Sequence, residues 1–314
     1  MKNLLALILI ILCISPAAFA DDDHDGHRHG PRVVNCGGDA LTDALSRTNP
    51  GDTLVISGVC TENIVVSSTT GQFDGVTLDG QGTGSIVGPD VTLNTLELDG
   101  VRGFTVQNLT ISGGRDGVSI NGGTLVGLDG LIVQGVGRHG IHYQRMSSGF
   151  VVNSTIQNNP GNGIISNENS YVRIGFTNGV GASEGDVGPN LIQGNGGFGI
   201  RVQRQSSVRA YNNTISSNVG DGVHIESMSY AEVASSVLDS NGKSAVFVSE
   251  NSVLHLGNAT GTKNEDVPNT TNTPNGTFGL TAQWGAYVQG RLGTLRGLTD
   301  GASFTHGAQN NLTP

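Results

Sequence analysis

A short segment of alternating apolar residues recurs through the chain at intervals of 23 residues, and this repeat constrains the fold more than any other feature. The central apolar residues of successive copies are Val118, Ile141, Ile164, Ile200, Val223 and Val246. A second column is formed by Ile111, Val133, Ile156, Ile192, Ile215 and Leu238. Each column contains one interval of 36 residues, so both place the same insertion within residues 175–189.

The repeat predicts a stack of coils built from short strands. Each 23-residue unit has room for two or three strands of three to five residues, and Gly, Asn and Ser mark the turns between them. The 49 glycines are explained by these turns. Residues one repeat apart then stack about 4.8 Å apart in neighbouring coils. We therefore predict an all-β, right-handed parallel β-helix solenoid with coils of about 23 residues.

Two ladders follow from the same register. The column from Val118 to Val246 is expected to point inward as an aliphatic ladder. One turn position repeats asparagine, and a buried ladder in which each amide bonds to the next coil is the expected structure. The alternative is a set of ordinary exposed turn residues. The asparagines concerned are Asn159, Asn195, Asn218 and Asn241.

The repeated strand Asp/Asn-Gly-Ile/Val-x-Val/Ile, followed by Asn-rich turns, resembles the pectin-lyase-like right-handed β-helix superfamily. The resemblance covers roughly residues 33–300. It implies a solenoid with three sheets, secretion, and frequent action on acidic polysaccharides. The superfamily contains lyases, hydrolases, epimerases and proteins without known chemistry, so the resemblance is specific for fold and weak for activity.

The expected domain order starts with a signal peptide at residues 1–20, which has Lys2, an apolar stretch and a small-residue cleavage site. A His/Asp-rich leader follows at 21–32. Residues 33–60 are expected to form an N-terminal cap with a short helix, the first strand and a disulfide between Cys36 and Cys60, since export favours oxidised cysteines. The β-helix is assigned to 61–303, and a C-terminal tail to 304–314.

Charge and targeting limit the partners. The chain has a formal net charge of −10, which argues against nucleic acid and anionic membrane surfaces. No segment other than the signal peptide approaches the length of a transmembrane span. We expect a secreted or periplasmic protein with a polysaccharide as partner.

The residues that alternate with the inward ladder should form an outward polar stripe. Arg201 and His224 would lie about 5 Å apart on adjacent coils, and His142 about 10 Å from Arg201. Ile165 and Phe247 are expected to be exposed in the stripe and to stack on sugar faces. The ligand-binding candidates are His142, Gln144, Arg201, Gln203, His224, Glu226 and Phe247.

Catalysis is the alternative use of the same stripe. Arg201 would neutralise a uronate carboxylate, His224 would act as base, and Glu226 would assist, as in a polysaccharide lyase or epimerase. Hydrolysis needs paired carboxylates, and we expect Glu226 to have no acidic neighbour in its own or adjacent coils. Arg138-His139-Gly140 is the nearest match to the superfamily's Gly-His-Gly signature, and it lacks the accompanying acids.

Metal sites are weakly indicated. His24, His27 and His29 in the leader are possible ligands for zinc, copper or nickel. Calcium is a possible cofactor at Glu184 with Asp186, or at Glu265 with Asp266. The sequence thus predicts an exported, non-catalytic polysaccharide-binding or cell-surface β-helix; the alternatives are a lyase or epimerase acting on a uronate polymer, and a purely structural solenoid.

Overall fold

The protein is a right-handed parallel β-solenoid of about 11 turns, as the repeat predicts. The computed structural model describes residues 30–37, 40–67, 70–177, 187–257 and 267–313. Within them, all strand pairing between neighbouring coils is parallel, and the strands form three sheets along the stack. The chain visits the three sheets in turn, so a regular coil adds one strand to each sheet. The eight-stranded sheet ends at Val237–Asp239, whereas the other two continue to the last coil.

The strands, numbered in chain order, fall into three sheets. The twelve-stranded sheet contains β1 (Arg32–Asn35), β2 (Thr53–Ser57), β5 (Thr77–Asp79), β8 (Arg102–Gln107), β11 (Leu125–Asp129), β14 (Ser148–Val152), β17 (Tyr171–Ile174), β20 (Ser207–Tyr211), β23 (Tyr230–Ala234), β26 (Val253–Leu256), β28 (Tyr287–Gly290) and β30 (Gln309–Leu312). The ten-stranded sheet contains β4 (Ile64–Ser67), β7 (Leu96–Asp99), β10 (Val118–Asn121), β13 (Ile141–Tyr143), β16 (Ile164–Ser166), β19 (Ile200–Val202), β22 (Val223–Ile225), β25 (Val246–Val248), β27 (Phe278–Ala282) and β29 (Asp300–Phe304). The eight-stranded sheet contains β3 (Val59–Thr61), β6 (Ser85–Gly88), β9 (Thr110–Gly113), β12 (Ile132–Gln134), β15 (Thr155–Gln157), β18 (Leu191–Gln193), β21 (Thr214–Ser216) and β24 (Val237–Asp239).

The N-terminal end carries the predicted cap. The helix α1 (Leu41–Leu45) buries both of its leucines and Ala44 against the first coil. Glu62 accepts hydrogen bonds from the backbone N–H groups of Leu41 and Thr42, so a carboxylate satisfies donors that the helix start leaves free. The expected disulfide joins Cys36 and Cys60. By loop entropy it is worth about 3 kcal/mol.

The predicted inward ladder is confirmed. Val118 pairs with Ile141, Ile141 with Ile164, and the register continues to Val246, with each of the six side chains fully buried. Glycine precedes five of these six residues, with Ala245 before Val246, and close approach of the neighbouring coil favours it. A Cβ on Gly163 would lie 2.7 Å from the carbonyl oxygen of Gly199 in the next coil. The repeated Gly-Ile/Val pair therefore sets the spacing between coils.

The asparagine ladder is also confirmed. The side-chain amide of Asn159 donates to Oδ1 of Asn195 at 3.1 Å, and the pattern continues through Asn218 and Asn241 to Asn275. A second, shorter ladder lies at the turn between the twelve- and eight-stranded sheets, where Asn190 donates to Asn213 at 2.9 Å. Since buried amides must be paired, these ladders hold neighbouring coils in register.

The C-terminal boundary differs from the prediction. Strands β29 and β30 pair in register with β27 and β28, so the solenoid continues to Leu312 and the tail predicted from residue 304 belongs largely to the last coil. The apolar residues of the segment 284–298 also predict that it closes this end of the stack. Val288 and Leu295 are buried there, but Trp284 and Leu298 are 51% and 76% exposed. Further coil residues follow this segment, so it does not form the end of the stack.

Several predicted features lie outside the described residues. These are the signal peptide at 1–20, most of the leader with His24, His27 and His29, and the two acidic pairs proposed for calcium. The first insertion is described only at its two ends, where Phe176 and Val187 form an antiparallel bridge. In the described part of the chain, no helix is long and apolar enough to cross a membrane.

Candidate functional site

A groove of about 410 Å³ lies along the outer face of the ten-stranded sheet. Its most prominent feature is a concentration of arginine, because five of its lining residues are arginines and only two are glutamates. Four of the five are ion-paired, with Asp116, Glu168 or Glu226. The arginines are Arg115, Arg138, Arg145, Arg201 and Arg204. Side-chain amides line the spaces between them: Asn94, Asn121, Gln144, Asn167 and Gln203. We refer to this surface as the arginine groove.

A buried carboxylate organises the middle of the groove. Asp116 is fully buried and accepts hydrogen bonds from two guanidinium nitrogens of Arg138 and from the backbone N–H of His139. Its second oxygen lies 3.3 Å from Nδ1 of His142. Burial acts to raise the pKa of Asp116, but its bonds to Arg138 and His142 outweigh this and hold the pKa well below its usual value. The group is therefore a carboxylate that fixes two groove residues.

His139, which follows Arg138 next to Asp116, acts as a hydrogen-bond acceptor. Nδ1 of His139 accepts a hydrogen bond from the backbone N–H of Asn162 at 3.0 Å. Burial is the main cause that lowers the pKa of His139 to about 4, so its ring is neutral near neutral pH. The ring packs edge-on against His142 at 5.6 Å.

His142 presents an unsatisfied nitrogen in the groove. Its Nδ1 faces the Asp116 carboxylate, which favours the tautomer with the proton on Nδ1. Nε2 is buried and has no hydrogen-bond partner among the described residues. A buried polar atom without a partner is costly in an interior. His142 itself is among the residues that line the groove.

Further along the ten-stranded sheet, Arg201 on β19 forms an ion pair with Glu226, which follows β22. Nε of Arg201 lies 2.9 Å from Oε1 of Glu226. His224 bridges two carboxylates: Nδ1 lies 2.9 Å from Asp221, and Nε2 lies 3.3 Å from Glu226. The expectation that Glu226 has no acidic neighbour in its own coil is therefore wrong. Asp221 precedes the strand and reaches the same histidine from the turn.

These contacts shift the pKa values in opposite directions. Burial acts to lower the pKa of His224, but the hydrogen bonds to Asp221 and Glu226 outweigh it and raise the pKa. The hydrogen bond with His224, then the contacts with Arg201, lower the pKa of Glu226 to about 2. The imidazole is also stacked between Phe198 at 4.1 Å and Phe247 at 4.5 Å. An enclosed histidine whose two nitrogens both face carboxylates is poorly suited to take a proton from a ligand.

The turn at the edge of the groove carries exposed ion pairs. Glu168 lies between Arg204, at 3.2 Å, and Arg145, at 3.9 Å. Amides continue the pattern on the sheet, where Gln203 donates to Asn167 at 3.2 Å. Asn167 is buried, but Glu168, Gln203 and the two arginines are at least partly exposed and are accessible to a ligand in the groove.

The predicted stripe is one continuous surface, but only part of it lines the groove. Strand register places His142, Ile165 and Arg201 on consecutive coils, as expected. His142, Gln144, Arg201 and Gln203 line the groove. The remaining candidates, His224, Glu226 and Phe247, continue the same sheet beyond its end.

One expectation about this stripe is wrong. Ile165 was expected to be exposed but is only 3% exposed, because the longer side chains of His142 and Arg201 flank it on both neighbouring coils. Phe247 is half-buried against His224. The sequence interpretation also did not predict an acid next to His139. Asp116 lies one coil earlier and accepts a hydrogen bond from the backbone N–H of His139.

The sequence interpretation missed a second surface, on the outer face of the twelve-stranded sheet. Four of the five tyrosines lie there: Tyr171, Tyr211, Tyr230 and Tyr287. We refer to this surface as the tyrosine face. Its signal was present in the sequence, since Tyr171, Tyr230 and Tyr287 occupy the same column of the repeat. The two columns used to define the repeat belong to the ten- and eight-stranded sheets.

No group of three or more His, Cys, Asp or Glu side chains in the described ranges is arranged to hold a metal ion. The acids near the groove are instead engaged by arginine and histidine, as for Asp116 and Glu226. The residues proposed for calcium and for transition metals lie outside the described part of the chain.

Comparison with known proteins reports on the fold. No curated protein sequence is significantly similar to the chain. Among solved structures, the A-module of the mannuronan C-5 epimerase AlgE4 from Azotobacter vinelandii is similar with a TM-score of 0.48 and 12% identity, covering 91% of this chain and 87% of that one. An alginate lyase from a Paenibacillus species is similar with a TM-score of 0.43 and 16% identity, covering 90% and 99%.

The sequence family described as right-handed β-helix region matches residues 94–260, which is more than half of the chain. The matched segment contains the regular coils, both ladders and the arginine groove. The chain belongs to this right-handed β-helix family.

Proposed function

We propose that the protein binds an anionic, uronate-containing polysaccharide along the arginine groove. The observation that carries this proposal is the concentration of five arginines in one groove of a chain whose net charge is −10. A guanidinium can bind a carboxylate through two parallel hydrogen bonds. An acidic protein gains nothing in solubility from arginines clustered in one groove, so we take the cluster to serve binding. The names of the similar solved structures, an epimerase of mannuronan and an alginate lyase, are compatible with this ligand class.

The shape of the groove supports an elongated ligand. Its residues come from five consecutive strands of the ten-stranded sheet, β7 to β19, which corresponds to about 19 Å along the stack. Amides between the arginines can bond to sugar hydroxyls. A polymer strand lying parallel to the solenoid axis would thus meet charged and neutral donors in alternation.

Binding should be measured by calorimetry with oligomers of mannuronate, guluronate and galacturonate, with uncharged oligomers as reference. The double variant Arg115→Gln, Arg204→Gln removes two exposed guanidinium groups without touching the buried core. We expect affinity for the uronate ligand to fall by about tenfold or more, since one charge-assisted hydrogen bond is worth roughly 1.5 kcal/mol. The matched control Arg47→Gln, Arg102→Gln removes two exposed arginines elsewhere.

Two outcomes would contradict this proposal. One is the absence of binding to every uronate oligomer, which would leave the purely structural solenoid as the better description. The other is an equal loss of affinity in the groove and control variants, which would show that overall charge, and not the groove, governs binding.

A second candidate function is proton abstraction next to the uronate carboxylate, as in a lyase or epimerase. The observation in its favour is that His142 lines the groove, that Asp116 orients its ring, and that its buried Nε2 has no partner among the described residues, so that a small movement of the ring would have to bring Nε2 to the substrate. This geometry favours His142 over the originally considered His224, whose two nitrogens already face carboxylates. Arg138 or Arg201 would neutralise the substrate carboxylate.

Deuterium exchange provides the test of catalysis. A base that removes the proton beside the carboxylate introduces deuterium from heavy water, whether elimination or epimerisation follows. We expect exchange in the wild type and its loss in His142→Gln, with His306→Gln, an exposed histidine, as control. If no uronate polymer shows exchange or unsaturated ends, the protein binds without catalysis.

We further propose export, with residues 1–20 removed as a signal peptide. The Cys36–Cys60 disulfide supports an oxidising compartment. The amino-terminal sequence of the protein recovered from a secreting host should begin at Asp21. Recovery of a cytoplasmic form that starts at Met1 would contradict this.

A further inference from the structure

The tyrosine face has a regular geometry. Tyr171, Tyr230 and Tyr287 occupy one column of the twelve-stranded sheet, and each is separated from the next by one coil that carries Ser207 or Val253. The three rings are therefore spaced two coils apart, or about 10 Å. The intervening side chains are small, so they leave space between successive rings.

The three rings are at least partly accessible, and the hydroxyl groups of Tyr230 and Tyr287 are held by hydrogen bonds. Tyr171 is 37% exposed, and Tyr230 and Tyr287 are half-buried. The hydroxyl of Tyr287 donates to Gln289 at 3.2 Å and accepts from Asn311 at 3.0 Å. A tyrosine with its hydroxyl fixed by protein contacts presents its ring as a rigid apolar surface at low entropic cost.

One carboxylate on this face is surrounded by hydrogen-bond donors. Glu232 accepts hydrogen bonds from Tyr211, Tyr230 and Arg209. Burial acts to raise the pKa of Glu232, but these bonds outweigh it and keep the pKa below its usual value. The carboxylate and the Arg209 guanidinium thus neutralise each other. Arg173, in register with Arg209, is a further cation on this face, and its Nε has no hydrogen-bond partner among the described residues. The face therefore combines aromatic rings with one neutralised ion pair and one further guanidinium, against the five arginines of the groove.

We infer that the tyrosine face is a second binding site, which takes an uncharged pyranose polysaccharide by stacking. Flat apolar rings about 10 Å apart match alternate sugars of an extended chain, since sugar rings bury their C–H faces on aromatic side chains. The nearby amide of Gln289 and ring of His255 supply hydrogen-bonding groups for hydroxyls. The chain would run across the coils, parallel to the solenoid axis.

The site is tested on the intact protein with β-1,4-linked oligomers of glucose and of mannose, none of which carries a carboxylate. Tyr171→Ala with Tyr287→Ala should weaken binding by about tenfold. Tyr171→Phe with Tyr287→Phe retains the rings and should bind within about threefold of the wild type. Raising NaCl from about 0.1 M to about 1 M, which shortens the screening length from about 10 Å to about 3 Å, should leave this affinity nearly unchanged.

Several results would overturn the inference. These are the absence of binding to uncharged oligomers, equal losses in the alanine and phenylalanine variants, or loss of binding in Arg115→Gln, Arg204→Gln. Sedimentation that shows self-association abolished by the alanine variant would instead identify the face as a contact between copies. Failure of uronate binding in the groove would not affect this test, because the two sites use different residues and respond differently to salt.

Discussion

The outer faces of the ten- and twelve-stranded sheets differ in chemistry although they share one core. The first gathers five arginines in a groove, and the second carries four tyrosines, two of which bond to one neutralised carboxylate. Behind both, aliphatic side chains of the same coils are fully buried in register. The comparison teaches that the inward positions specify the solenoid, so the outward positions of each sheet can take on separate functions.

Each face is also organised by one acid, and the two acids differ in burial. The Asp116 side chain is completely inaccessible, whereas the Glu232 side chain is 24% exposed. Asp116 fixes a guanidinium and an imidazole, and Glu232 fixes a guanidinium and two phenols. This difference should determine how much each acid contributes to stability.

The largest effect is expected from the core that both faces share. Ile200→Ala removes a fully buried rung of the inward ladder and should reduce the free energy of unfolding by about 2–5 kcal/mol. Because the lost side chain lies in the core that supports both sheets, uronate binding and neutral-glycan binding should be lost over the same temperature range on heating. Val65→Ala, at a position 63% exposed, is the control. Selective loss of one activity in Ile200→Ala would contradict the shared-core description.

Loss of the two organising acids should differ both in its cost to stability and in the binding that it weakens. Asp116→Ala should cost about 3 kcal/mol of unfolding free energy, since it leaves buried donors without an acceptor, and Glu232→Ala about 1 kcal/mol. The first should weaken only the binding of uronate, and the second only that of neutral glycan. Chemical denaturation and calorimetry measure both quantities. Equal stability losses would show that burial does not distinguish the two acids.

The dependence of stability on pH should reveal the paired charges at the groove side. The pKa of Glu226 is lowered from its usual 4.5 to about 2, so its stabilising contribution is complete above pH 4.5 and is lost as pH falls towards 2. The pKa of His224 is raised above 6.5, so its contribution is complete below pH 6.5 and is lost as pH rises through the folded-state value.

Glu226→Gln should therefore be less stable than the wild type at pH 5 to 6, and the difference should vanish towards pH 2. Denaturant unfolding at successive pH values provides the measurement, with Glu250→Gln, an exposed acid on the next coil, as control. A difference independent of pH would mean that the charge of Glu226 is not what stabilises this region.

The smallest effect on stability is expected at the edge of the groove. Glu168→Gln removes a 39% exposed carboxylate between two arginines and should change the unfolding free energy by no more than about 0.5 kcal/mol. The freed guanidinium groups should tighten uronate binding by about twofold to threefold and leave neutral-glycan binding unchanged. Weaker uronate binding in this variant would contradict the electrostatic assignment of the groove.

The sequence allowed the solenoid, its register and the asparagine ladder to be predicted, because each depends on identical residues recurring at one interval. The candidate site could be predicted only in part. The contacts of Asp116 and Asp221 with histidines depend on the path of the turn before each strand, which the repeat does not define. The burial of Ile165 depends on the way in which the long side chains of the neighbouring coils cover it. Side-chain packing determines this, and the alternation of inward and outward residues does not predict it.

The asparagine ladder has a consequence for how such a protein can evolve. Each rung bonds to an identical rung above and below, so duplicating or deleting one whole coil leaves every amide with an equivalent neighbour. Such an event would lengthen or shorten both outer faces by about 4.8 Å while the core stays continuous. Loss of a single residue within a strand would instead exchange inward and outward side chains. Whole-coil insertions and deletions are thus the changes that selection can use to adjust the length of each outer face.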